Sequence, residues 1–280
     1  MSAEKRDVLY LLADVGGTNT RVAFVERGLN DPQAIQHFQN AEFGSLYDVL
    51  GSYIATQNVG EVMVCCVAMA GPVRGSQGRL TNLDWTISAI ALKHLTGCRD
   101  VMLLNDLTAL GYALPLLPET SKAIVDDRTI EGDTNGQSLV IGIGTGFNLC
   151  PVRISADGAV TCFEVEMGHA AMPAPLAQRL EGILGRISDE FPTLEDLFSG
   201  AGLSRFHHAL VPSRKLTAHE IVKEYCAGDA EAADTLHHYT KCLGDLCAQL
   251  AFQYMPMNGI YFAGSVARGV LRPEFKEHLA

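Results

Sequence analysis

Leu12-Ala13-Asp14-Val15-Gly16-Gly17-Thr18-Asn19-Thr20-Arg21 is the stretch on which the fold turns. It follows one apolar run and leads into another, Val22 to Val25, so it reads as strand, tight turn, strand. Glycine lets the backbone approach a ligand closely and take positive φ, and successive N–H groups in such a turn form an anion cradle. One such turn would be an ordinary hairpin. A second lies far along the chain, at Val140-Ile141-Gly142-Ile143-Gly144-Thr145-Gly146, again between apolar runs. Two of them, with threonine in both and an acid opening the first, suggest two halves that grip one polyphosphate from opposite sides.

Composition sets the outer limits. With 280 residues, 48 % hydrophobic and 19 % charged, the chain can bury a large core and is expected to form two domains. A formal charge of −11 and a pI near 5.2 exclude the basic face that nucleic-acid binding needs. A nucleotide site stays open, because Mg²⁺ and backbone N–H groups meet phosphate charge locally. None of the eight cysteines forms a C-x-x-C pair and several fall in apolar strands, which reads as buried reduced thiols in a cytoplasmic enzyme. No signal-peptide core and no run of eighteen apolar residues is present, so no membrane partner is expected.

Strand and helix signals alternate. Strands are expected at Val8 to Asp14, Thr20 to Glu26, Ile35 to Asn40, Val62 to Met69 and Val101 to Leu104. Helices are expected from Ser45 to Gln57, from Thr86 (as N-cap) to Leu95 with Gly97 as the stop, and from Leu107 to about Leu114. Pro115 and Pro118 then mark a break, which places one domain at 1–114 and the other at 115–280. In the second, Ser138 to Ile143, Phe147 to Ile154 and Val160 to Glu166 are β-rich. Pro175 to Met255 is mostly helical, its longest helix running from about Asp229 to Tyr254. Gly259 to Ala263 makes a last strand before Gly264-Ser265 and a terminal helix. The order implies a mixed, largely parallel sheet in each domain. The helix Asp229 to Tyr254 could pair two copies as a homodimer, although an apolar helix face is more often core.

Asn105-Asp106 ends a buried strand, where α/β sheets present groups to ligands. A carboxylate there can take a proton from a substrate hydroxyl while Asn105 fixes a neighbouring hydroxyl. Equally, Asp106 can cap the helix that starts at Leu107, and one residue can do both. Glu164-Val165-Glu166-Met167-Gly168-His169 is a second polar cluster. Glu166 accepts and His169 can donate, a pair suited to reading vicinal hydroxyls; the plain alternative is a surface loop. No second His or Cys lies at metal-ligand spacing from it. His207-His208 and His237-His238 fall in helical stretches and read as partly exposed side chains.

Taken together, these motifs resemble those of bacterial glucokinases, in the branch of the actin-like ATPase/sugar kinase superfamily without the zinc motif. Asp14 to Arg21, Leu104 to Ala109, Gly142 to Gly146 and Glu166 to His169 occur in the family's order and spacing. Leu80-Thr81-Asn82-Leu83-Asp84-Trp85 and Glu195 to Leu203 agree as well, so the resemblance spans essentially the whole chain. It implies an α/β fold of two domains, each with a mixed sheet, and a cleft between them. It also implies ATP-dependent phosphorylation of glucose at its 6-hydroxyl. By matching motifs Asp106 would be the base, with Asn105, Glu166, His169 and Glu195 around the sugar. Asp14 would organise Mg²⁺, through water. Gly16, Gly17, Thr18 and Asn19 would face the transferred phosphate, Gly144, Thr145 and Gly146 the remaining ones, and Gly264 and Ser265 the adenosine.

Three departures from the family pattern stand out. After Gly146 the family has a further glycine following one residue, whereas this chain has Phe147-Asn148. Ser265 replaces the second glycine of the adenosine turn, and the chain is expected to lack the family's C-terminal segment beyond Ala280. A hexose kinase is therefore the leading expectation. Beside it stand a kinase for another hexose or amino sugar, and a sugar sensor of this fold without turnover.

Overall fold

The computed structural model describes residues 9–29, 31–57, 61–125, 134–185 and 190–279. By its internal contacts the chain divides into Met1–Ala109 and Leu110–Ala280.

The first unit opens with the expected hairpin, β1 (Leu9–Val15) and β2 (Asn19–Glu26), extended by β3 (Gln33–Gln39). Val8, with which the first strand was expected to begin, lies outside the described residues. Helix α1 (Leu46–Gln57) leads to β4 (Val62–Met69), which lies parallel to β1. A small antiparallel sheet of β5 (Val73–Arg74), β6 (Gln77–Arg79) and β7 (Thr86–Ser88) comes next. Helix α2 (Ala89–Thr96) then returns the chain to β8 (Asp100–Asn105), and α3 (Asp106–Ala113) follows without a gap. The main sheet has the order β3-β2-β1-β4-β8. Along β1, Leu9, Leu11, Ala13 and Val15 are buried, and Leu11, Val15, Val67 and Met69 share a core with Val49, Leu50 and Tyr53 of α1 and Leu92 of α2. This period-2 burial sends Asp14 to the other face of the sheet, where it is exposed.

In the second unit β9 (Gln137–Ile143) and β10 (Phe147–Ile154) form the second hairpin, with β11 (Val160–Cys162) beside β10. The helices α4 (Ala174–Leu184), α5 (Leu194–Leu197), α6 (Gly200–Leu210), α7 (Ala218–Cys226) and α8 (Ala230–Tyr254) follow. Residues 186–189 of this expected helical stretch lie outside the described residues. β12 (Ile260–Ala263) runs parallel to β9, giving the order β11-β10-β9-β12, and α9 (Ser265–Val270) follows it. Asp229 caps α8 by accepting the Ala232 N–H at 2.8 Å. The apolar stripe of α8, including Leu236, Tyr239, Leu243, Leu246 and Leu250, packs into the core with Leu139, Ile141, Phe198 and Phe206.

Several expectations need correction. The sheets are mixed but not largely parallel: β1–β4 and β4–β8 are the parallel pairs of the first, and β9–β12 that of the second. Hairpins supply the rest, because each glycine turn folds its strand straight back. Thr86 begins a strand and not a helix; Ser88 is the cap, its hydroxyl accepting the Ala91 N–H, and Gly97 closes α2 at φ +67°. The third β-rich run ends at Cys162, so Phe163 to Glu166 is irregular. The terminal helix stops at Val270, and a 3-10 segment spans Pro273–Leu279. His207 is fully buried, with Nδ1 2.8 Å from the Thr235 hydroxyl.

Candidate functional site

In the first unit the Gly16–Asn19 turn closes through the Gly16 N–H, which donates to the Asn19 carbonyl at 2.9 Å. Positive φ occurs at neither Gly16 nor Gly17, nor at Gly144 or Gly146, which corrects the expectation for both turns. Space is what Gly17 responds to: a Cβ there would stand 3.2 Å from Asn82 Cβ, in the segment Leu80 to Trp85. Thr18 and Asn19 are exposed. Asn40 anchors the turn from behind. Its N–H donates to the Thr18 carbonyl (2.9 Å) and its Nδ2 to the Gly16 carbonyl (2.8 Å), while Oδ1 accepts the Thr20 hydroxyl (2.7 Å).

Parallel pairing of β1, β4 and β8 sets Val15 beside Met69 and Met69 beside Asn105, so Asp14 and Asp106 stand at the carboxyl ends of strands in one sheet. Asp14 lies 3.5 Å from Arg21, its partner across the hairpin. Both are well exposed, so the pair itself contributes little to stability. Asn105 is anchored at both ends of its amide: Nδ2 donates to the Gly71 carbonyl (3.2 Å) and Oδ1 accepts the Leu107 N–H (3.0 Å). The same amide also hydrogen-bonds the Asp106 carboxyl beside it, and its oxygen keeps one lone pair. Asp106 Oδ1 shares the same Leu107 N–H at 2.9 Å, so both residues cap α3. Asp106 keeps solvent access, yet its environment holds its carboxyl above the usual carboxylate range. Desolvation is the largest cause; the Leu107 N–H pulls the other way, and the charge of Asp14 adds to the rise.

In the second unit Thr145 is exposed at the tip of the β9–β10 turn, where the Gly144 N–H donates to the Gly146 carbonyl at 3.0 Å. The N-terminus of α6 meets this turn: the Gly200 N–H donates to the Gly144 carbonyl at 2.8 Å, and Ser199 caps the helix by accepting the Gly202 N–H at 3.0 Å. Gly264 borders it as well. At φ +102° with the Ile143 carbonyl against its Cα, position 264 admits no side chain. Ser265 N lies 4.0 Å from where a Cβ on Gly144 would stand. A glycine turn met by a helix N-terminus suits phosphate oxygens.

Glu195 sits on α5, which starts with a capping box between Thr193 and Asp196. Its Oε2 accepts the Phe147 N–H at 2.9 Å and would stand 2.5 Å from a Cβ on Gly146. Its Cβ would lie 3.4 Å from a Cβ on Gly168, so the turn between Glu166 and His169 packs against it. Glu166 and His169 are both exposed. Glu166, His169 and Glu195 therefore gather within the second unit, and Asp14, Asn105 and Asp106 within the first.

A family model described as glucokinase matches residues 11–277. The chain belongs to the glucokinase family. The curated "Bifunctional protein glk" of Burkholderia pseudomallei (strain 1710b) is 33 % identical over 276 residues, covering 95 % of this chain. The chain spans only 42 % of that relative's length. Glucokinase of Caulobacter vibrioides (strain NA1000 / CB15N) is 29 % identical over 281 residues, 94 % of this chain and 82 % of that protein. Among solved structures, glucokinase from an Antarctic psychrotroph superposes with a TM-score of 0.80 at 26 % identity, over 97 % of this chain and 88 % of that one. Balamuthia mandrillaris glucokinase, solved in complex with glucose, shares the fold at a TM-score of 0.73 and 19 % identity, over 99 % and 86 % of the two chains. The fold of this glucokinase-family chain is the actin-like ATPase/sugar kinase fold.

Among the described residues no group of three or more His, Cys, Asp or Glu side chains could hold a metal ion, and no helix is long and apolar enough to cross a membrane. Mg²⁺ asks for less, since one or two carboxylates beside substrate phosphates and water suffice. Asp14, exposed and hard-oxygen, meets that requirement. Sequence reasoning gave Asn40 no role beyond ending the third strand, and Asn148 none beyond departing from the family pattern. Long-range amide bonds leave no periodic trace; a lone asparagine just after a strand, as at 40, is the only available signal.

Proposed function

We propose that this chain transfers the terminal phosphoryl group of ATP to the 6-hydroxyl of glucose, giving glucose 6-phosphate and ADP, with Asp106 as general base. Asp106 carries the reading: its carboxyl is solvent-accessible at the end of β8, is held above its ordinary range, and has Asn105 rigidly beside it. A base whose affinity for a proton is raised accepts the hydroxyl proton more readily as the oxygen attacks phosphorus. Asn105, whose amide oxygen keeps a lone pair beside the Asp106 carboxyl, orients a neighbouring hydroxyl, and Glu166, His169 and Glu195 complete the recognition of the sugar. A buried hydroxyl without a partner costs about 1–3 kcal/mol, which is how such a set rejects epimers.

Gly16, Gly17, Thr18 and Asn19 present their turn to the transferred phosphate, and Gly144, Thr145 and Gly146 to the others, with Gly264 and Ser265 at the adenosine. Asp14 would hold Mg²⁺ through water, and the ion would neutralise charge on the phosphates. Transfer asks little covalent chemistry of the protein. Placement and charge are what these residues supply.

The test is a coupled assay with ATP, Mg²⁺ and glucose on the wild type and Asp106→Asn. The variant should still bind glucose while turnover falls on the order of 10²–10⁴-fold. Turnover equal to wild type would remove Asp106 from the role of base.

A further inference from the structure

Asn148 stands where the second turn passes into β10, two residues after Gly146. Its amide is fully used. Nδ2 donates to the Val165 carbonyl at 2.7 Å and to Glu166 Oε2 at 3.3 Å. Oδ1 accepts the Leu149 N–H at 2.9 Å and the Met167 N–H at 3.0 Å. Two donors and two acceptor sites are all that an asparagine has. The backbone partners also fix which end of the amide is nitrogen, since one is a carbonyl and two are N–H groups.

The target of these bonds is unusual. Three of the four reach residues 165–167, the end of the irregular stretch after β11 (which stops at Cys162) and the first residue of the 3-10 turn that begins at Met167. Glu166 is exposed in the middle of that segment, and Asn148 Nδ2 is the only described side-chain donor bonded to its carboxylate. Glycine at 148 would leave the Val165 carbonyl and the Met167 N–H without this partner and the Glu166 carboxylate free to swing.

We propose that Asn148 is a positioning residue for hexose specificity: it aims the Glu166 carboxylate and ties the segment that carries it to the phosphate-side hairpin. This rests on the sugar-reading role given to Glu166 above. Aspartate is the informative replacement. It keeps both acceptor bonds to Leu149 and Met167, removes both donors, and sets a negative charge against Glu166.

The experiment is a double-mutant cycle over Asn148→Asp and Glu166→Ala in the full chain. It uses glucose affinity by calorimetry without nucleotide, and KM and kcat for glucose and its epimers. Asn148→Asp should weaken glucose binding about tenfold or more and narrow the preference for glucose over its epimers. The KM for ATP should stay within about twofold. In the Glu166→Ala background the same change should have little further effect. Equal losses in both backgrounds would make Asn148 merely structural and overturn the proposal. Should Asn148→Asp not fold, Asn148→Gly serves, with the same loss of epimer discrimination expected and an unchanged ratio fatal. Glucose binding unaffected by Glu166→Ala would instead bring down the underlying reading of Glu166, and the proposal with it.

Discussion

The two glycine-threonine turns look alike in sequence and are braced by opposite means. Behind Gly16–Asn19 stands a neutral amide: Asn40 is buried and spends its side chain on the Gly16 carbonyl and the Thr20 hydroxyl. Behind Gly144–Gly146 stands a charged group, Glu195, which is half-buried and holds the Phe147 N–H with one oxygen. Its other oxygen has no hydrogen bond among the described residues. In the first unit the brace and the residues proposed for the chemistry are therefore separate, Asn40 against Asp14 and Asp106. In the second the brace is itself a proposed reader of the sugar, so a change on the sugar side should be felt at the phosphate turn.

Gly146→Ala is the harshest way to break that comparison. The new Cβ would stand 2.5 Å from Glu195 Oε2, the oxygen that accepts the Phe147 N–H. The carboxylate has to move, and the turn and the sugar reader are disturbed together. Turnover at fixed substrate should fall about 100-fold, the scale of a misplaced catalytic array, with KM raised for both ATP and glucose. Steady-state kinetics in which only the ATP parameter moved would separate the two roles and refute the coupling.

Glu195 itself sharpens the same point more gently. Glu195→Gln keeps an oxygen for the Phe147 N–H and loses the charge, whereas Glu195→Ala loses both. Both variants should weaken glucose binding by about tenfold. Only the alanine variant should also raise the KM for ATP, by a few-fold. An identical ATP parameter in the two would mean that the hydrogen bond to Phe147 does not shape the turn.

Asn40→Ala probes the other brace. It leaves the Gly16 carbonyl and the buried Thr20 hydroxyl without their partner, at a cost of about 1–3 kcal/mol in denaturant unfolding. Glucose affinity measured without nucleotide should remain within about twofold, because no proposed sugar reader touches Asn40. A large loss of glucose binding would erase the distinction between the two braces.

What the sequence disclosed follows from this contrast. Both hairpins were legible because a glycine turn between apolar runs is a local pattern, and α8 because its capping aspartate and apolar stripe repeat along one segment. Asp106 was legible as a group at a strand end. Thr86 misled because its three-residue strand is too short to show a period and leads directly into α2. The braces were illegible: Asn40 and Gly16, or Glu195 and Phe147, are far apart in the chain and are joined only by tertiary folding. The glycines were legible as special, but for the wrong reason. Gly146 makes room for the carboxylate against it, and its backbone angles do not call for glycine.

The smallest effect tests the first unit's separation of chemistry from bracing. The environment of Asp106 disfavours its charge, chiefly through desolvation, with Asp14 adding to the rise. A carboxyl whose folded value lies above its unfolded one favours the fold while it is protonated, and that contribution is lost as pH rises through the folded value. Once pH has risen past the folded value, the wild type therefore carries a penalty that Asp106→Asn lacks. The asparagine oxygen can still accept the Leu107 N–H, so the cap on α3 is retained. Thermal melts should place Asp106→Asn slightly above the wild type at pH 7, with the gap closing as pH falls toward the ordinary carboxylate range near about 4. A variant that is both inactive and more stable would show that Asp106 is kept for reaction and not for the fold. A lower melting temperature at pH 7 would mean that its carboxylate braces the first unit after all, as Glu195 does the second.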